Sequence, residues 1–395
     1  MNILLIEPIS IHSIERYLET FESEKWHATL VTVPGSKFDG YHDRFDDVIR
    51  ISSLDCLPEE VIKHIRPNSF TSVVPGSEFS VPLSEMIAKE IGTPSNKNCN
   101  IELFRNKELM RVFFKSNSLP QPRLYASVNS LEEAEQTLEK NNFPVVVKPV
   151  DMAGSANVKI CHDKAEALDT VERILGYSKS RVTEIGFLQT ALIEQAVIGP
   201  EFSAEVIIES SEIRHISITK KFLGPYPSCD EVGHLVGSKL PEGLSEKLKF
   251  IVASIIKNSG YGLGVIHLEF KFVNDDVYLI EIGSRVPGDY ISTLLELKYG
   301  LNVEKCFCKL RGGIKLSSTD LGNNQLTSGD SENIYGVKFF FDTPFTLPDQ
   351  VTLVDMKVSS VERSKGYGVS DRSGHLIFKA DRSMQDELNY MLNIN

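Results

Sequence analysis

The stretch His267-Leu268-Glu269-Phe270-Lys271-Phe272-Val273-Asn274-Asp275-Asp276-Val277-Tyr278-Leu279-Ile280-Glu281 decides how this chain is read. Polar and apolar residues alternate on both sides of an Asn-Asp-Asp turn, the period-two pattern of a β-hairpin. With the turn centred on Asp275, pairing is expected at 273–277, 271–279 and 269–281. Glu269 then faces Glu281 on one side of the sheet. Two carboxylates opposed in this way repel unless a proton or a cation lies between them. A hard divalent cation takes carboxylate oxygens and commonly a substrate phosphate as well. The pattern therefore points to a nucleotide-handling site. It depends on the turn, because a two-residue loop would shift the register and send the glutamates to opposite faces.

Working outward, 395 residues allow two or three domains with ample core. Composition is that of a soluble globular chain, 41% hydrophobic and 24% charged, with a mean hydropathy of −0.12. A net charge of −12 argues against a nucleic-acid backbone or an anionic membrane as the main partner, while leaving room for a local basic pocket. The opening Met-Asn-Ile-Leu-Leu-Ile-Glu-Pro has no basic segment and a short apolar run, so a first strand is expected there rather than a signal peptide. No apolar run approaches the ~20 residues of a membrane span. The six cysteines are scattered without a CxxC, which favours reduced thiols in the cytoplasm over zinc.

Residues 1 to about 95 alternate strand and helix patterns. Strands are expected at Asn2–Glu7, His27–Val33, Val48–Ser52 and Ser72–Pro75, and helices at Ile14–Glu24, Pro58–Ile65 and Pro82–Ile91. That alternation predicts a parallel sheet with crossover helices. No GxGxxG follows the first strand, so the dinucleotide fingerprint is absent. After a boundary near Thr93-Pro-Ser-Asn comes a helix over Glu102–Ser116. From about 100 to 300, helices mix with Val-, Ile- and Phe-rich strands, an α+β pattern with antiparallel sheets. Ser317–Asn333 is polar and reads as a loop. Ile334–Lys379 is strand-like, with turns at Lys365-Gly and Arg372-Ser-Gly, and a helix runs from Met384 to Leu392.

Three segments carry chemistry. Phe143-Pro-Val-Val-Val-Lys148-Pro-Val-Asp-Met-Ala-Gly154-Ser155-Ala-Asn157 is a buried strand ending in lysine, then a loop of small residues whose N–H groups can approach phosphate oxygens. It lacks GxxxxGK[ST], and the alternative is an ordinary turn with a solvated lysine. Leu192-Ile-Glu194-Gln195-Ala-Val197-Ile-Gly199-Pro-Glu201 offers a strand edge to a base and a carboxylate to ribose hydroxyls, or is a surface hairpin with polar caps. Gly283-Ser-Arg285-Val-Pro-Gly288-Asp289 extends the opening hairpin. Arg285 can grip a carboxylate or phosphate with its planar fork, or form a structural ion pair with one of the two glutamates.

In this order and spacing the segments resemble the ATP-grasp superfamily of carboxylate–amine ligases, over roughly residues 1–390. Asn106-Lys107-Glu-Leu-Met-Arg resembles the first nucleotide-binding lysine motif. Lys148 and the loop through Gly154, Ser155 and Asn157 resemble the second lysine and the phosphate loop. Glu194-Gln195-Ala-Val197 resembles the adenine hinge, Glu201 the ribose-binding acid, Glu269 and Glu281 the metal carboxylates, and Arg285 the arginine near the acyl phosphate. Within the superfamily the chain looks most like the L-amino-acid ligases. Asp230-Glu231-Val-Gly233-His234 resembles their acid-x-Gly-His element, so Glu231 and His234, with Arg285 and Gly288, are implied in substrate binding; for His234 the alternative is a surface-loop histidine.

The resemblance implies an α/β and α+β protein with the ATP-grasp fold. A Rossmann-like preATP-grasp domain would span 1–98, an ATP-grasp domain 99–310 with a small lid at about 118–190, and a strand-rich C-terminal domain 311–395. It implies ATP with Mg²⁺ (or Mn²⁺), small-molecule carboxylate and amine substrates, and an acyl phosphate joined to an amine to give a dipeptide or similar amide. Arg285 and Lys148 would be catalytic, and a homodimer is compatible. Two departures stand out: Gly283 replaces the asparagine of the usual Glu-x-Asn, and Gly237 replaces a proline after the Gly-His element. The other classes left open are a biotin-carboxylase-like enzyme activating bicarbonate and a non-catalytic ATP-binding module.

Overall fold

The computed structural model describes residues 1–66, 68–180, 185–323, 332–341, 347–358 and 372–393. The turn expected at Lys365-Gly and residues 324–331 of the polar stretch lie outside them.

The N-terminal strands β1 (Asn2–Ile6), β2 (His27–Thr32), β3 (Asp47–Arg50) and β4 (Ser72–Pro75) form a parallel sheet in the order β3-β2-β1-β4. Their apolar runs are buried on both faces, as parallel strands require. Leu5 and Leu30 pack with Tyr17 and Phe21 of α1 (Ile11–Glu24). Leu4 and Val31 pack on the opposite side with Leu83 and Ile87, which follow α2 (Glu59–Ile62) in α3 (Val81–Ile91). The helix expected over 58–65 is thus shorter than its pattern suggested.

After α4 (Lys107–Ser116) comes a small antiparallel sheet of β5 (Leu124–Val128), β6 (Val145–Pro149), β7 (Lys159–Cys161) and β8 (Ala191–Gln195), ordered β5-β8-β6-β7. The helices α5 (Leu131–Leu138) and α6 (Lys164–Leu175) close its own core around Val145, Val147 and Ile193. The connection back is tied to the N-terminal sheet: Ile185 joins that core, Phe187 packs against it, and Gly186 N donates to Asp55 Oδ2 at 2.9 Å.

Among the described residues, the rest of the chain builds one eight-stranded sheet. Its members are β9 (Glu201–Glu209), β10 (Glu212–Leu223), β11 (Glu231–Val236), β12 (Gly264–Val273), β13 (Asp276–Gly283), β14 (Asn333–Phe340), β15 (Thr352–Val358) and β16 (Gly374–Asp381). The order is β13-β12-β9-β10-β11-β14-β16-β15, so the strand-rich C-terminal stretch extends the central sheet. The helix α7 (Leu244–Ser259) packs with α4 on one face around Phe270 and Leu268, while α8 (Ile291–Tyr299) and α9 (Val303–Arg311) lie in the core shared with the N-terminal sheet. The C-terminal helix α10 (Gln385–Asn393) covers Phe222 and Leu235. No helix among the described residues is long and apolar enough to cross a membrane.

The β12–β13 hairpin departs from its expected register. Val273 pairs with Asp276 and Lys271 with Tyr278, so the loop is two residues, Asn274-Asp275, both left-handed at φ 51° and 65°. That is the backbone of a tight hairpin turn, for which Asn and Asp are suited. Pairing at 273–277 and 271–279 is therefore overturned. Between Phe270–Leu279 and Glu269–Glu281, however, the register shifts by one residue at Ile280. The bulge restores the Glu269–Glu281 pairing that a regular two-residue hairpin would have destroyed.

Candidate active site

A cavity of about 410 Å³ lies between the N-terminal sheet, the small sheet and the central sheet. Its floor takes residues from β13, β12, β9 and β11, on a sheet face where the period-two rule stacks polar residues in rows that continue across β10. One row runs Lys271, Glu201, Lys221, His234 across β12, β9, β10 and β11. The next runs Glu281, Glu269, Ser203, Thr219, and a third Gly283, His267, Glu205, Ser217.

Asn106 caps α4, accepting hydrogen bonds from Glu108 N and Leu109 N, which fixes Lys107 at the first helical position. Lys107 Nζ donates to Met152 O at 2.7 Å and meets Glu281 Oε1 at 3.0 Å. Lys148, at the end of β6, meets Glu194 Oε2 at 2.9 Å. Arg111 grips the same carboxylate through Nε and Nη2 at 2.8 and 3.2 Å. It also donates to Leu279 O and Ile280 O at 3.2 and 2.9 Å, so one guanidinium braces both the small sheet and the bulge. Burial, reinforced by Arg111, lowers Lys148 to about 8 against the pull of Glu194. For Glu194 burial would raise the carboxyl, but Arg111 and Lys148 outweigh it and bring it to about 2. Glu194, expected at the adenine edge, thus has its side chain committed to holding Lys148. Gln195 and Val197 line the cavity, with Gln195 Oε1 accepting from Arg123 N at 3.2 Å.

The loop after β6 carries left-handed residues at Gly154, Ser155 and Asn157, with φ between 56° and 63°. Gly154 and Ser155 line the cavity, whereas Asn157 is not among its lining residues and its amide approaches Met152 Sδ at 3.5 Å.

At the other end, Lys221 Nζ is shared by three carboxylates: Glu231 at 2.6 Å, Glu269 at 2.6 Å and Glu201 at 3.1 Å. Burial would lower this lysine, but the three charges raise it well above the usual range. Glu231 and Glu269 are held low by the same ammonium, against a burial that would raise them. Lys271 also reaches Glu201, at 3.6 Å. His267 meets Glu205 through Nδ1 at 3.0 Å and Glu269 through Nε2 at 3.2 Å; these outweigh burial and raise it to about 9. Glu205 in turn accepts from Ser203 and Thr219 at 2.7 and 3.0 Å.

Arg285 pairs with neither hairpin glutamate. It donates to Glu78 Oε1, with Nε at 2.6 Å and Nη2 also engaged, joining the central sheet to the N-terminal segment. Gly288 lines the cavity and has open space beyond its Cα. Glu231 lines it too; His234 is fully buried beside Glu231 and is not among the lining residues, which overturns the surface-loop alternative. Gly237 has φ +86°, which proline cannot adopt, and a Cβ there would meet Lys298 and Asn333 O. That departure follows from the backbone. A Cβ on Gly283 would make only ordinary contact with Arg285.

Glu269 and Glu281 suit a hard cation. They are direct cross-strand neighbours, their side chains are 20% and 25% exposed, and each holds its lysine through Oε1. Residues missed from the sequence are Arg111, Glu78, Lys221, His267, Glu205 and Arg372, whose guanidinium holds the cavity-lining Asp289 at 2.8 and 3.1 Å. Alternation would have found His267 and Lys271 beside Glu269, and Ser203 and Glu205 after Glu201. Glu78 and Arg372 gave no such signal.

Residues 141–293 match a family model described as an ATP-grasp domain. The structure is similar to that of L-amino acid ligase from Bacillus licheniformis, with a TM-score of 0.74 and 18% identity over 98% of this chain and 95% of that one. It is also similar to phosphoribosylglycinamide synthetase from Anaerococcus prevotii, with a TM-score of 0.67 and 17% identity over 100% and 98% of the two chains. Among curated relatives, an uncharacterized protein of Sinorhizobium fredii is 22% identical over 289 residues, 73% of this chain and 59% of that protein. This chain therefore spans less than two thirds of that relative. The fold is the ATP-grasp fold.

Proposed function

We propose that this chain, an ATP-grasp protein by fold, is an ATP-dependent ligase that joins a carboxylate, an amino acid, to an amine through an acyl phosphate. The observation that carries the reading is one cavity lined by Lys107, Lys148, the registered pair Glu269 and Glu281, and Arg285. Two lysines and small-residue backbone suit a polyphosphate. Mg²⁺, or Mn²⁺ in its place, would be held by Glu269 and Glu281 and would supply charge neutralisation at phosphate oxygens.

A substrate carboxylate oxygen attacks the γ-phosphorus; the bond to the β-phosphate oxygen breaks and ADP leaves. The amine lone pair then attacks the acyl carbon. The C–N bond forms, the acyl C–O bond breaks, phosphate departs with the electron pair, and the amine loses its proton to solvent. Lys107 and Lys148 hold the phosphates, exchanging their carboxylate partners for phosphate oxygens. Arg285 orients the carboxylate and then supports the oxyanion, using the fork now resting on Glu78. The work is positioning and electrostatics, so it needs no nucleophilic serine or cysteine. The small sheet shields the acyl phosphate from water.

The test is Mg-ATP turnover against a matrix of amino-acid pairs, reading phosphate release and product mass together. A new amide mass appearing with phosphate is expected. Phosphate release that requires bicarbonate would replace the ligase with a carboxylase, and ATP binding without turnover would leave a non-catalytic module.

A further inference from the structure

The two edges of the eight-stranded sheet end differently. The outer side of β13 is closed: Leu279 N donates to Pro120 O at 3.1 Å, and Arg111 donates to Leu279 O and Ile280 O. At the opposite edge β15 pairs with β16 alone, and among the described residues no group meets its backbone from the outer side. Every residue from Thr352 to Val358 is exposed. Leu353, Val354, Met356 and Val358 are each between 43% and 52% exposed, a run of apolar side chains along the sheet margin. The one-residue shift at Val354 keeps Leu353 and Met356 on the face of Phe378 and Leu376, which are buried in the core beside α10. The run is the uncovered margin of that core. Asp355 and Lys357 lie on the other face, opposite Ile377 and His375. Unpaired N–H and C=O groups flanked by apolar side chains are a template for another strand.

We propose that β15 is a self-association edge, on which a second copy of this chain pairs antiparallel about a two-fold axis at Met356 and joins the two sheets into one. The charges select both register and partner. Symmetric antiparallel pairing sets one residue opposite its own copy. Centred on Asp355 it opposes two carboxylates, and centred on Lys357 two ammoniums, each destabilising. Centred on Val354 it sets the two charges against Leu353 and Val351. Centred on Met356, Asp355 of each copy faces Lys357 of the other, and Val354 faces Val358. Charges on an edge strand commonly discourage pairing. Here they disfavour the neighbouring registers and support this one. An unrelated strand would need the same Asp-x-Lys spacing to match it. The ladder runs only from Val354 to Val358, a smaller contact than the roughly 1,200 Å² of a stable complex, so the association is reversible. The inference does not rest on the ligase reading.

The test is sedimentation velocity on the full chain between about 1 and about 200 µM, a range that spans weak association. The mass should rise with concentration from 44.2 kDa towards twice that value. Asp355→Lys alone and Lys357→Asp alone each set like charges opposite one another and should weaken association at least about tenfold. The two single variants mixed in equal amounts should associate again, because each then meets its complement. The double variant Asp355→Lys, Lys357→Asp should self-associate like the wild type. Loss of the Asp355–His375 contact at 3.6 Å persists in the mixture, so the rescue reads the cross-copy pairs alone. If a single variant does not fold, the wild-type concentration dependence and the double variant decide. A wild type that stays monomeric at the highest concentration overturns the inference. So does a dimer that neither single variant weakens, or a mixture that fails to reassociate.

Discussion

The two ends of the cavity solve opposite electrostatic problems. At the end proposed to hold phosphate, two cations share one acid: Lys148 and Arg111 both meet Glu194, and all three are buried. At the other end one ammonium, Lys221, serves Glu201, Glu231 and Glu269. The first arrangement keeps positive charge dry and in place, as the proposed phosphate site requires. The second crowds three carboxylates on one ammonium, with Lys271 and His267 as the further cations on Glu201 and Glu269. Buried ion pairs of this kind contribute little net stability, since desolvation offsets the attraction, but breaking one is costly. The difference between the ends therefore shows most clearly when one partner is removed.

The largest effect is expected for Lys221→Met. It leaves three carboxylates facing one another, at a cost of about 3–5 kcal/mol in a urea titration. Mg²⁺ should restore more stability to the variant than it adds to the wild type; an equal gain in both would break the contrast between the two ends.

The next prediction concerns pH. Lys148 has a pKa lowered to about 8, so above that pH it loses the charge needed for phosphate. The affinity for ATP should fall by about tenfold per pH unit above 8, and this slope should vanish in Lys148→Arg. The stability sign is the reverse. A lysine depressed in the folded state binds fewer protons there than when unfolded, so its contribution to stability rises between pH 8 and its ordinary value of 10.5. An ATP affinity that is flat to pH 10 would show that Lys148 is not the phosphate cation.

The smallest effect belongs to the support of Lys107. Asn106→Ala removes the cap of α4 and should cost about 1 kcal/mol in thermal or urea unfolding. It should weaken ATP binding only by the looseness it gives Lys107. A loss as large as that of Lys221→Met would mean that Asn106 does more than cap a helix.

Much of the frame was legible because it depends on local periodicity. The N-terminal strand–helix alternation, the apolar strand ending at Lys148 and the alternating residues around Glu269 all follow from side-chain direction along a strand or helix. The resemblance to ATP-grasp enzymes came from the same segments. What was illegible depended on partners distant in sequence. Glu194 carries no mark that Arg111, 83 residues earlier, will claim its carboxylate. Arg285 and Glu78 are 207 residues apart. His234, read as a substrate residue or a surface-loop histidine, lies fully buried 3.1 Å from Glu231.

By itself, the sequence determined which residues alternate, and hence that Glu269 and Glu281 belong to one hairpin within a sheet. Only the tertiary structure decided that they meet. The Asn274-Asp275 turn set a register that opposes them, and the bulge at Ile280, braced by Arg111 through its carbonyl, turned Glu281 back to the cavity face. The physical reason is that the pattern of a strand fixes faces only relative to its own neighbours. A single inserted residue inverts that relation for everything beyond it, and whether a bulge persists depends on hydrogen-bond partners supplied from elsewhere in the fold.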